Sequence, residues 1–256
     1  MPTRAAGRSR AGPAAAISAH RGGSERAPAG TYAAYQDALA AGADYLEFDV
    51  RRTADGELVA LHPERLGRPG RPVRALSYAA LCGLAGYEVP TTHAVLELLA
   101  GRAGAHVDLK EPDCLAGITT QALRLLPPER IIVTTGDQVA ISELRQRYPE
   151  VPVGLTISGD LAQIARYLAR QARLPVASPV DAVVAVRAGW AVVHERLARA
   201  GALAECRRRG LATMIWTVND DQALSRWLNC PDVDVVVTDR PRRAAALRRH
   251  PTQPSS

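Results

Sequence analysis

The sequence predicts an α/β chain closed into one (β/α)8 barrel, the TIM-barrel architecture. Three observations predict it. Short apolar runs able to form strands alternate with segments of helical spacing. There are eight of each, the number that closes a parallel sheet on itself. The scale also fits, since 256 residues with 47% hydrophobic content are enough for one large core.

Taken in order, strands are expected over residues 15–19, 44–50, 105–109, 130–134, 151–157, 182–186, 212–218 and 233–237. Each is a short apolar run bounded by polar or turn-forming residues. Helical spacing fills the intervals at residues 31–41, 93–100, 114–126, 137–148, 160–172, 195–209, 220–229 and 240–248. The barrel thus takes residues 14–248, with a flexible segment at 1–13 and a disordered tail at 249–256. Residues 57–61 are expected as an excursion above the mouth, the second arm of a small hairpin after the second strand.

Composition narrows the class. No apolar run reaches membrane-spanning length, so no stable membrane insertion is expected. Arg4, Arg8 and Arg10 precede only a short apolar stretch, which is not a secretory signal. Cys82, Cys114, Cys206 and Cys230 lack metal-ligand spacing and read as reduced thiols, mostly buried. A cytoplasmic protein is expected. The net charge of +6 comes from arginine runs such as Arg207–Arg209, with no nucleic-acid-binding motif beside them. A solvated basic surface is the reading, one that draws anionic substrates inward. The oligomeric state is left open.

The chemistry centres on Tyr45-Leu46-Glu47-Phe48-Asp49-Val50. Side chains alternate along a strand, so Glu47 and Asp49 share one face and the apolar residues the other. Paired carboxylates inside a barrel call for a cation, and oxygen ligands suit Mg2+ or Ca2+. Asp55-Gly56 signals a two-residue hairpin whose paired numbers sum to 111, which sets His62 opposite Asp49. Barrel sites lie at the C-terminal ends of strands. Those ends supply His20-Arg21-Gly22-Gly23, then Glu47 and Asp49, then His106, Asp108 and Lys110, then Trp216, Thr217 and Asn219, and finally Thr238 and Asp239. Lys110 is the single lysine among the 32 Lys and Arg residues, which suggests a position needing a compact ammonium. His106, two residues deeper on its strand than Asp108, is expected as a hydrogen-bonded residue of the barrel interior.

These stretches resemble the glycerophosphodiester phosphodiesterases. The carriers are His20-Arg21-Gly22, Gly42 to Val50, Thr53-Ala54-Asp55-Gly56, Leu61-His62, Pro90-Thr91, Val107-Asp108-Leu109-Lys110, Trp216-Thr217-Val218-Asn219 and Thr238-Asp239-Arg240-Pro241. The resemblance implies a barrel enzyme that uses one divalent cation to cleave a small phosphodiester into glycerol 3-phosphate and an alcohol. It implies Glu47, Asp49 and Asp108 as metal ligands, Asp108 standing where the family usually has glutamate. His20 and His62 become the acid–base pair, and Arg21 and Lys110 the phosphate grip. Trp216 is read either as lining the pocket against glycerol or the leaving group or as a buried core indole. Two imidazoles suit a reaction in which one group accepts a proton while the other donates one.

The chain also departs from that pattern. Pro28-Ala29-Gly30-Thr31 replaces Pro-Glu-Asn-Thr, and Pro63 stands where an aspartate usually follows the second histidine. A lysophospholipase D-like enzyme, a lyase releasing a cyclic phosphate, and a non-catalytic barrel that binds phosphate esters therefore stand as alternatives.

Overall fold

The computed structural model describes residues 14–174 and 176–249. The chain runs β1 (Ala16–Ala19), α1 (Tyr32–Ala41), β2 (Tyr45–Arg52), β3 (Leu58–Ala60), β4 (Arg65–Leu66), β5 (Arg71–Pro72), α2 (Tyr78–Ala85), α3 (Thr92–Leu99), β6 (Gly104–Leu109) and α4 (Leu115–Leu125). It continues β7 (Ile131–Thr135), α5 (Gln138–Arg147), β8 (Val153–Ile157), α6 (Leu161–Gln171), α7 (Pro179–Ala185), β9 (Trp190–His194), α8 (Glu195–Arg199) and α9 (Ala202–Arg208). The last elements are β10 (Ala212–Trp216), α10 (Asp221–Leu228), β11 (Val235–Thr238) and α11 (Pro241–Arg249).

Eight strands form the expected closed parallel barrel, ordered β1-β2-β6-β7-β8-β9-β10-β11. β1 closes it by pairing with β11 along its length and with β2 at Ser18↔Tyr45 and Ala19↔Leu46. The period-two alternation sorts the strand residues. Ile17, Leu46, Phe48, Val107 and Val133 pack with the helices, while Ile132, Val192, Met214, Val235 and Val237 form a separate apolar cluster. The polar alternates Ser18, Glu47, Asp49, His106 and Thr134 are nonetheless buried, on the β1, β2, β6 and β7 side.

The sixth strand is displaced from its expected place. Residues 182–186 lie at the end of α7, and the strand is β9, Trp190–His194. Ser178 caps α7 in a capping box with Asp181, and Pro179 occupies its first turn. Those start signals outweigh an apolar run too short to distinguish strand from buried helix. The expected helix 195–209 is broken at residues 200–201 into α8 and α9.

The hairpin also differs from expectation. Val50↔Ala60, Arg51↔Val59 and Arg52↔Leu58 sum to 110. Thr53 N–H donates to Glu57 O at 3.0 Å and Gly56 N–H to Thr53 O at 3.1 Å, which closes a three-residue loop with Gly56 at φ +90°. That is the bulged hairpin, in which glycine takes the left-handed position. The Asp55 carboxylate is engaged elsewhere, accepting from Thr53 Oγ1 at 2.5 Å and from Tyr78 N–H at 3.0 Å. Asp49 O therefore accepts from Leu61 N–H at 2.9 Å, and His62 is not Asp49's partner. Beyond it the excursion is larger than a hairpin. The β4–β5 ribbon and α2 enclose a small core of Val59, Leu61, Val73, Leu76, Leu81 and Val89.

Several arginines of the basic runs are ion-paired. Arg207 meets Asp232 at 2.6 Å, Arg209 meets Asp181 at 2.7 Å and Arg243 meets Asp221 at 2.7 Å, while Arg242 and Arg248 pair with Asp37 and Asp44. No helix among the described residues is long and apolar enough to cross a membrane. The expected flexible segment 1–13 and residues 250–256 of the expected tail lie outside the described residues, and residue 249 ends α11.

Candidate active site

Three carboxylates meet at the C-terminal mouth. Glu47 and Asp49 project from β2 and Asp108 from β6, with Asp49 and Asp108 in register across the two strands. Their ligand oxygens lie within 4.8 Å of one another. Glu47 and Asp49 are each 2% exposed. Burial and the neighbouring Asp49 push the Glu47 carboxyl up to about 8, with His20 acting the other way. Burial likewise raises Asp108, with Lys110 opposing. Asp49 Oδ2 is buried and accepts no hydrogen bond. An orphaned buried oxygen beside two further carboxylates is a donor set for a hard divalent cation, so these residues fit such an ion.

Lys110 reaches back over this group. Its Nζ lies 2.6 Å from Asp108 Oδ2 and 3.0 Å from Asp49 Oδ1. Burial works against its charge, but Asp108 and Asp49 outweigh burial and raise its pKa above the usual lysine range.

His20 leaves the end of β1 in a short 3-10 turn, His20–Gly22. The turn is tight for a specific reason. Gly22 sits at φ +79°, and a Cβ there would lie 2.8 Å from the backbone of Ala34 and Tyr35 in α1. Arg21 takes the left-handed conformation at φ 50°, and its N–H donates to Glu47 Oε2 at 2.7 Å. Its Nε is buried without a partner. The His20 ring is held by Asp239, with Nδ1 2.7 Å from Oδ1. Asn219 Nδ2 in turn donates to Asp239 Oδ2 at 2.6 Å. Burial disfavours charge on this ring, yet Glu47 and the Asp239 hydrogen bond prevail and raise its pKa.

His62 stands just past β3 and carries the opposite tendency. Burial lowers its pKa, Asp49 opposes, and the charges of Arg21, Lys110 and His20 lower it further. Those four influences place it within electrostatic reach of Asp49, Arg21, Lys110 and His20. The Arg51 guanidinium donates twice to its carbonyl, from Nε at 3.1 Å and Nη2 at 3.0 Å, and from Nη1 to Glu111 at 3.0 Å.

Trp216 ends β10, three strands round the barrel from β2. Its indole N–H is buried without a partner, and its ring meets His194 edge-on at 5.2 Å. His106 is an interior residue, as expected. Ser18 Oγ and Thr134 Oγ1 each lie 3.0 Å from its ring nitrogens, and burial lowers its pKa to about 3.

Sequence reasoning gave no role to Asp239, Asn219, Arg51 or Glu111. The first two stood among the strand-end polar residues, and Arg51 continues the Glu47–Asp49 alternation by one more step. Each had a readable signal in position, though none had one in partner. At positions 29 and 30, where glutamate and asparagine are missing, Gly30 N–H donates to Arg21 O at 2.7 Å, and Thr31 Oγ1 donates to Pro28 O at 2.7 Å and caps α1.

The glycerophosphoryl diester phosphodiesterase family profile matches residues 20–85 and 111–243. A glycerophosphodiester phosphodiesterase of Caldanaerobacter subterraneus subsp. tengcongensis is 24% identical over 252 residues, covering 91% of this chain and 97% of that protein. Among solved structures, the glycerophosphodiester phosphodiesterase of Agrobacterium tumefaciens str. C58 superposes with TM-score 0.69 at 28% identity, covering 90% of this chain and 99% of that one. An Oleispira antarctica phosphodiesterase, solved with the product sn-glycerol-3-phosphate, shares the fold with TM-score 0.73 at 20% identity, over 91% and 96% of the two chains.

Proposed function

The chain belongs to the glycerophosphoryl diester phosphodiesterase family, and from that premise we propose that its barrel mouth hydrolyses glycerophosphodiesters to glycerol 3-phosphate and an alcohol. One observation carries the reading. Three carboxylates, two buried and one half-buried, converge within 4.8 Å beside a lysine, with two histidines of opposite pKa tendency nearby.

Glu47, Asp49 and Asp108 would hold the divalent cation, Mg2+ or Ca2+, and when bound it would supply neutralisation of charge on the phosphoryl oxygens. Arg21 is anchored by its backbone to Glu47 and carries an unpartnered Nε, so it is free to bind a phosphoryl oxygen. Lys110 supplies a second cationic donor. Trp216 packs on the substrate with its indole N–H toward an acceptor.

The histidines divide the proton work. His62, with its pKa lowered, is neutral near pH 7 and accepts the proton of the attacking hydroxyl, the substrate's own neighbouring group. His20, with its pKa raised by Glu47 and Asp239, donates its proton to the leaving oxygen as the P–O bond breaks. Water then opens the cyclic phosphate with the two roles exchanged, which restores both rings.

The four cysteines are all free thiols, which suits a reducing compartment such as the cytoplasm. The test is glycerol 3-phosphate release from glycerophosphocholine. Activity is expected with Mg2+ or Ca2+, lost with chelator, and lost in His20→Ala. Activity that survives the chelator, or none on any phosphodiester, overturns the reading.

A further inference from the structure

The two histidines are held in different ways. The His20 ring has its own carboxylate, Asp239, at 2.7 Å. The His62 ring makes no hydrogen bond among the described residues, so its aim depends on how its backbone is fixed. Two features fix that backbone. Pro63 follows, and a residue before proline is confined to extended conformations. At the carbonyl, Nε and Nη2 of Arg51 donate together, at 3.1 and 3.0 Å.

Arg51 is suited to this and to little else. It is 9% exposed, and no other arginine among the described residues is buried. It follows Glu47 and Asp49 on the same face of β2, so the strand that carries two metal-ligand candidates also delivers this guanidinium. Its third contact, Nη1 to Glu111 at 3.0 Å, reaches the residue next to Lys110. The planar fork thus ties the His62 backbone to the β6 end that bears the phosphate-gripping lysine. A lysine at position 51 has no such fork.

We propose that Arg51, braced by Glu111, is the positioning residue of His62, holding that imidazole by its main chain as Asp239 holds His20 by its ring. The catalytic part of this rests on the diesterase reading above, whereas the structural part does not.

The experiment uses the full chain. Arg51→Gln keeps a planar polar side chain but loses the fork and the charge. It is expected to lower kcat on glycerophosphocholine about 10- to 100-fold, with KM changed less than about threefold. In a His62→Ala background the same substitution is expected to cost less than about twofold, since its target is gone. Independently of turnover, the His62 ring signals in a histidine-detected NMR spectrum shift and narrow in Arg51→Gln, while those of His20 stay in place. Equal losses in both backgrounds, or unmoved His62 signals, overturn the proposal. Should the wild type show no diesterase activity, the NMR comparison alone decides the positioning. Should Arg51→Gln not fold, Glu111→Ala replaces it, since among the described residues Glu111 is tied to His62 only through Arg51. Its expected loss is smaller, about two- to tenfold, with the same selective movement of His62, and unmoved signals there overturn the proposal too.

Discussion

Replacing Asp239 by asparagine separates charge from shape at His20. The carboxylate serves two donors, His20 Nδ1 at 2.7 Å and Asn219 Nδ2 at 2.6 Å. Asn219 cannot turn its amide round to help, because its Oδ1 already accepts from Asp239 N–H at 2.9 Å and from Thr238 Oγ1 at 3.2 Å. An asparagine at 239 has one carbonyl oxygen for two donors, and its own NH2 must face one of them. The His20 and Asp239 side chains are 19% and 23% exposed, so their attraction is partly screened. A hydrogen bond to a charged group in such a setting contributes about 1.5–3 kcal/mol, or about 10- to 150-fold in rate. The sign follows from the causes of the shift. Burial lowers the His20 pKa, and Glu47 and Asp239 overcome it, so removing the Asp239 charge lets the pKa fall. A general acid that loses its proton at lower pH fails earlier on the alkaline side. Asp239→Asn is therefore expected to reduce kcat about 10- to 150-fold and to move the alkaline limb of its pH profile to lower pH. The assay is glycerol 3-phosphate release across pH with the cation saturating. A loss below about threefold with an unmoved alkaline limb would refute the assignment of His20 as the acid.

Two further predictions concern stability in the cation-free protein. Glu47 is raised from 4.5 to about 8, mainly by burial, so its contribution is fully present below 4.5 and is lost as pH rises through about 8. The melting temperature should fall over that range, flatten in Glu47→Gln and recover when Mg2+ or Ca2+ is added; a Glu47→Gln slope equal to the wild type's refutes it. His106 is lowered from 6.5 to about 3, so its contribution is present above 6.5 and is lost as pH falls toward about 3. His106→Gln keeps partners for Ser18 and Thr134 and should lose little stability at pH 7. His106→Leu strands the Ser18 hydroxyl and leaves Thr134 only its long contact to Val107 O at 3.5 Å, and should lose about 1–3 kcal/mol by urea titration, and equal stability of the two variants would contradict the interior role.

How much of this was legible in the sequence depends on range. The barrel was, because strand and helix periods are local and eight repeats of the alternation outweigh any single error. The misplaced sixth strand shows where locality fails. Val183, Val184 and Val186 look like strand residues, and only the cap formed by Ser178 with Asp181, together with Pro179, commits the segment to helix. Glu47, Asp49, Asp108 and Lys110 were legible for the same local reason, since alternation on two strands places them without knowledge of partners. Asp239 and Asn219 were visible only as polar strand ends. Their pairing with His20 spans 219 residues, and nothing short of barrel closure brings β11 beside β1.

The expected hairpin register is not the one that carries His62. A one-residue slip in register inverts every side chain of a strand, and the observed sum of 110 sets His62 across from Phe48, whose ring packs with the outer core. Continued as a ladder, β3 would have turned this histidine away from the carboxylates. The ladder stops instead at Ala60. Leu61 makes one last bond to Asp49 O at 2.9 Å, and Arg51 then takes the next carbonyl from below. The Asp55-Gly56 turn therefore does not bring His62 to the mouth. On the proposed positioning that task falls to Arg51, two residues past Asp49 on the face the alternation assigns it. Lengthening the turn by one residue is accordingly expected to leave glycerol 3-phosphate release within about threefold of wild type so long as Arg51 keeps its grip, whereas losing the guanidinium is expected to cost more.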